Sequence, residues 1–201
     1  MTEVSSLTGR LLVASPSLAD PNFARAVVLL LDHDGDGALG VVLNRPTPVG
    51  VADVLEPWAR LTGSPDVVFQ GGPVSLDAAL GVAVVPGGAD RAGGTDRAGG
   101  AEESAVLGWR RIHGAIGLVD LDAPPELLAA ELGTLRIFAG YAGWAPGQLE
   151  EELAEGAWYV VESEPGDVSS PAPEGLWREV LRRQRGELAM FATYPDDAGL
   201  N

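Results

Sequence analysis

Short apolar runs, each closed by turn residues, recur along the whole chain. Segments 9–14, 25–32, 38–44, 66–70, 80–86, 115–121, 134–139 and 157–162 are rich in Val, Leu and Ile and bounded by Gly, Pro, Asp or Asn, a strand pattern. Helices are predicted at 51–59, 124–132, 146–155 and 174–186. In the last, Trp177, Val180, Leu181, Gln184 and Leu188 share one helical face, with Arg178, Arg182 and Arg185 on the solvated side. Pro124 and Pro125 stand where a helix start tolerates proline, and Gly133 follows where helices stop. A hairpin-like first half followed by alternating strands and helices predicts one α+β domain over 1–201 rather than a doubly wound fold.

The stretch "LLLDHDGDGALGVVL" (29–43) carries Asp32, Asp34, Asp36 and Gly37 in the spacing of the first half of an EF-hand loop. Such a loop needs a carboxylate at its twelfth position and helices on both sides. Here the twelfth position is Leu43 and both flanks read as strands, so the segment predicts a β-hairpin turn and no metal site. His33 then reads as a solvated turn histidine.

Composition narrows the chemistry. The 201 residues contain no cysteine, which removes disulfides and thiolate sites and is compatible with the cytoplasm. No apolar run approaches the roughly 18 residues of a membrane span, and the N-terminus lacks the basic start of a signal peptide. Net charge is −16, from 29 acidic residues against 13 basic ones that are all arginine. Such a surface repels phosphate backbones and argues against direct nucleic-acid binding. Without lysine there is neither a Walker loop nor an S-x-x-K site, and no G-x-S-x-G or H-E-x-x-H pattern occurs. The paired carboxylates fall in loops or on polar faces, so no catalytic residue, cofactor or metal is assigned. "GGADRAGGTDRAGGAEES" (87–104), with a six-residue unit nearly repeated, predicts a flexible Gly-rich loop.

Three glycine-rich segments remain: "NRP" (44–46), "FQGGPV" (69–74) and "FAGYAGWAPGQLEEEL" (138–153). The last predicts a strand ending at Gly140, a turn bearing Tyr141 and Trp144, and a helix start. That arrangement can cradle phosphate, but Glu150, Glu151 and Glu152 already answer the helix dipole, so a packed aromatic joint is expected instead.

These blocks, in the order "LLVASPSLADPNFARAVVLLLDHDGDGALGVVLNRP", "VFQGGPV" and "GYAGWAPGQLEEELAEGAWYVV", resemble the YqgE/AlgH family, and the similarity runs through "LWREVLRRQ". The 87–104 loop and the extra aspartates at 32–36 depart from the family pattern. The resemblance implies an α+β fold with a bent, mixed, partly barrel-like β-sheet surrounded by helices. It supplies no catalytic residue, and a transcriptional-regulator label attached to the family in places gains nothing from the residues. Asp20, Asn44, Arg45, Gly72, Gly140, Tyr141, Gly143 and Trp144 match its signature blocks as candidate pocket or interface positions. The expected function is that of a non-enzymatic cytoplasmic protein acting through a protein or small-molecule contact. An enzyme with a strand-end cleft around Asp20, Asn44 and Arg45 is the first alternative, and direct DNA binding the weakest.

Overall fold

The computed structural model describes residues 5–87 and 106–195. The Gly-rich loop expected at 87–104 lies, apart from Gly87, outside the described residues. Among the described residues ten strands form one curled sheet: β1 Leu11–Ala14, β2 Val27–Asp34, β3 Gly37–Val42, β4 Pro46–Gly50, β5 Val67–Gln70, β6 Val74–Val84, β7 Trp109–His113, β8 Ile116–Val119, β9 Thr134–Trp144 and β10 Trp158–Val161. The main path runs β10-β1-β2-β3-β9-β6-β8-β7 in antiparallel pairs. β4 pairs with β5, and β5 pairs with β9 in parallel, which makes the sheet mixed. The result is an α+β half-barrel with a few short helices.

The continuous apolar runs arise because both faces of the sheet are covered. Alternate residues divide: Leu11, Val13, Val27, Leu29 and Leu31 enter one cluster, while Leu12, Ala14, Ala26, Val28 and Leu30 enter another. The first cluster draws on strands from one end of the sheet to the other, as the inside of a curl must, and α4 (Leu176–Arg182) fills it with Leu176, Trp177, Val180 and Leu181. The outer face splits in two. One patch is closed by α2 (Gln148–Ala154) through Leu149, the other by α1 (Val51–Val54), Trp58 and Leu128.

Several expected elements differ. Helix 51–59 stops as α1 and continues as a 3-10 turn, Glu56–Leu61, since Pro57 cannot donate to an α-helical ladder. Segment 124–132 yields only the 3-10 turn Pro125–Leu127, with Leu128 as its buried anchor and Leu127 exposed. Helix 174–186 divides into a 3-10 turn Pro173–Gly175 and α4, with Leu188 on a separate α5 (Glu187–Phe191). Strands β4 and β7 and helix α3 (Pro165–Val168) were not expected. Prolines in β4 are tolerated because it is paired only at Pro46 and Gly50, and the polar β7 lies at the end of the sheet path. β9 runs through the predicted turn to Trp144. The hairpin at 32–37 forms as expected, joining β2 to β3 through Asp34↔Gly37.

His33 is no solvated turn residue. It is 3% exposed, its Nδ1 accepts from Leu7 N at 3.0 Å, and its Nε2 lies 2.8 Å from Glu150 Oε1. A partner 117 residues away is invisible in the local pattern.

Candidate functional site

The loop between β1 and β2 is where the signature blocks meet. Asp20 Oδ1 accepts from Asn22 N at 2.8 Å, and the Asp20 carbonyl accepts from Phe23 N and Ala24 N, closing a tight turn. Arg25 follows in the left-handed region at φ +58°, which costs a side-chain-bearing residue roughly 1 kcal/mol. Asn44, just beyond β3 and buried, brackets the next residue, Ala26: Oδ1 accepts from Val27 N at 3.0 Å, and Nδ2 donates to the Arg25 carbonyl at 2.8 Å. Arg45 Nη2 donates to the Ala24 carbonyl. The Arg25 guanidinium in turn lies 4.2 Å over the Trp177 ring and donates to the Pro195 carbonyl at 2.6 Å. Asp20, Asn44 and Arg45 therefore act on one loop backbone, and no bond joins the Asp20 carboxylate to Arg45 among the described residues.

The glycines lie where three backbones converge. One edge of β9 pairs first with β5, at Phe69↔Phe138 and Gln70↔Ala139, and then with β3, from Gly40↔Ala142 to Ala38↔Trp144. At the changeover Gly71 N donates to the Ala139 carbonyl and Val42 N to the Gly71 carbonyl, both at 2.8 Å. A Cβ on Gly72 would stand 2.1 Å from Tyr141 C, and one on Gly140, at φ +71°, 2.7 Å from the Gly72 oxygen. The register with β6 also breaks here, from Val74↔Tyr141 to Ala79↔Ala139, so Ser75–Ala78 stand out as an exposed bulge.

Tyr141 packs, half-buried, against the inner cluster, and Gly143 is exposed opposite Leu39. Trp144 is 6% exposed and belongs to the outer joint. Its ring meets Trp158 edge-on at 6.1 Å and Phe23 at 6.2 Å. Glu152 Oε2 accepts from Trp144 Nε1 at 2.9 Å and Trp158 Nε1 at 2.8 Å, a role for α2's acidic turn that its local sequence does not show. Phe23 connects this joint to the 20–25 loop, so the candidate positions form one assembly with Trp144 on its packed side.

Two clefts flank the loop. The smaller, about 60 Å³, is lined by Pro21, Asn22, Arg45, Gln70, Gly72 and Pro73. Burial lowers the Arg45 guanidinium from its ordinary value. The larger, about 290 Å³, lies between Arg25, Ser17 and a row of aromatics missed from the sequence. Tyr159 stacks on Phe191 at 5.4 Å, and Phe191 meets Tyr194 at 5.7 Å. Burial, with a smaller contribution from Tyr194, raises the Tyr159 hydroxyl. Among the described residues no three His, Asp or Glu side chains gather as metal ligands would, and no helix is long and apolar enough to cross a membrane.

Fold and junction together define a curled-sheet α+β protein whose signature residues meet at a glycine crossing beside a clamped loop. The profile of the AlgH-like family matches residues 11–189, and the chain belongs to that family. A UPF0301 protein of Streptomyces coelicolor is 78% identical over 201 residues, covering 100% of this chain and 98% of the relative. Another, from Thermobifida fusca, is 48% identical over 98% of this chain and 96% of its own length. Among solved structures, a Corynebacterium diphtheriae protein superposes with a TM-score of 0.83 at 32% identity, covering 96% of this chain and 95% of that one. The AlgH protein of Pseudomonas aeruginosa gives 0.62 at 25% identity, over 98% and 99%.

Proposed function

We propose that the chain is a non-enzymatic cytoplasmic binding protein that acts through a protein or small-molecule contact at the surface organised by the 20–25 loop. The use made of Asn44 and Arg45 carries this reading. Both side chains bond the main chain of the loop, and Asp20 closes a turn within it. Acid–base or nucleophilic chemistry needs groups within hydrogen-bond reach of each other and of a substrate atom. These three residues hold a backbone instead, which weighs against the strand-end enzyme. What remains open nearby suits recognition: two clefts, and an exposed bulge bearing Leu76 at 54% exposure. Direct DNA binding gains no support either, since Arg178 of the basic helix bonds the carbonyls of Ala192 and Tyr194.

Affinity capture at physiological salt tests this, with wild type beside a Leu76→Asp/Tyr194→Ala variant. The expected result is a protein or small molecule retained by wild type and lost by the variant at unchanged melting temperature. Conversion of an extract compound by purified wild type, abolished in Asp20→Asn, would overturn the reading in favour of an enzyme.

A further inference from the structure

We propose that the cleft beside Arg45 is a receptor for a single carboxylate group, which deepens the binding-protein reading and rests on it. Arg45 forms no ion pair among the described residues, although the chain carries 29 acidic residues. Arg10 and Arg183, by contrast, meet Glu162 and Asp167. A guanidinium has five N–H donors in a fixed fork, and one nitrogen of Arg45 is engaged at Ala24, so donors remain for a second partner. The lowered guanidinium value fits a partly buried cation that no carboxylate pairs with among the described residues.

The lining is suited to an anion. Asn22 and Gln70 are lining residues whose side-chain amides make no hydrogen bond among the described residues, and no Asp or Glu of the described residues lines the cleft. At about 60 Å³ the cleft exceeds the ~30 Å³ share of one water and admits a small planar group rather than a whole metabolite. Its walls are stiff. Asn44 and Pro46 flank Arg45, and Gly72 is pressed against β9 where no side chain could enter. A fork-shaped cation in a rigid narrow cleft, with amide donors beside it, matches the geometry of a carboxylate. The carboxylate could belong to a free small acid or to the end of a peptide chain.

Titration of the ¹⁵N-labelled full chain separates these sources. Acetate, N-acetylglycine and N-acetylglycinamide are added in turn, with chloride at matched ionic strength as control. Saturable shifts of the Asn22 and Gln70 side-chain amides and the Arg45 Nε–H are expected with the two acids, at dissociation constants on the order of millimolar, and none with the amide. Tighter binding of N-acetylglycine assigns the site to a chain end, and equal binding assigns it to a free acid. Arg45→Gln should weaken binding about tenfold or more, and Gln70→Ala, which leaves the Ala24 contact intact, about threefold. A response no larger than that of chloride, or one unchanged in the folded Gln70→Ala variant and in Arg45→Gln, overturns the carboxylate site. A flat titration alongside a captured ligand sinks this assignment alone, whereas turnover lost in Asp20→Asn sinks the broader reading.

Discussion

A buried amide that bridges the main chain just after a left-handed residue has no simple substitute. Asn44 accepts from Val27 N and donates to the Arg25 carbonyl, so Asn44→Ala strands one donor and one acceptor. Each stranded buried group costs about 1–3 kcal/mol. Asn44→Ala should therefore lose about 2–6 kcal/mol in urea denaturation. Asn44→Asp should recover little, because a carboxylate can take the Val27 N–H but repels the Arg25 carbonyl. A loss below about 0.5 kcal/mol in Asn44→Ala would show that the clamp does not hold the loop in solution.

Among elements, β9 repays the closest comparison. Its glycines read from sequence as a turn because glycine clusters usually punctuate, yet β9 runs straight through them to Trp144. Gly140 is needed for approach: its Cβ would press on the backbone oxygens of Gly72 and Val74 at 2.7 and 2.8 Å. Gly147 has a similar φ of +78°, but among the described residues nothing lies within 4 Å of a Cβ built there. Gly147→Ala should cost about 1–2 kcal/mol of backbone strain alone. Gly140→Ala should cost about 1–3 kcal/mol more, since the neighbouring backbone must move. Equal losses in the two variants would remove the close crossing from the account. The apolar strands were legible because burial on both faces leaves an unbroken Val/Leu run. β4 and β7 were not, because prolines and arginines mask strands paired at few positions or on one edge. The candidate residues were legible as a set, but their partners were not. Asn44 reaches Arg25 and Val27, Trp144 reaches Glu152, and the aromatic row joins β10 to α5, contacts that no local periodicity contains.

For the molecule as a whole, charge sets how stability follows pH. A net charge of −16 opposes compaction through self-repulsion, which mild acid relieves, whereas carboxylates better held in the folded state lose their contribution on acidification. Glu150 is such a group. The hydrogen bond to His33 is the largest cause of its lowered pKa. A depressed carboxylate value means the folded state binds fewer protons than the unfolded one. Its contribution is thus fully present above the ordinary carboxylate range, near pH 4.5, and is lost as pH falls through the depressed value. The side chain is 40% exposed, so solvent screening keeps the effect small and salt should shrink it. Urea midpoints of wild type and Glu150→Gln between about pH 5 and 3 should therefore differ at about pH 5 and converge below it, with a smaller gap in 0.5 M salt than at low salt. A gap that stays constant to pH 3 would mean that the contact between His33 and Glu150, which ties α2 to the end of β2, is not made in solution.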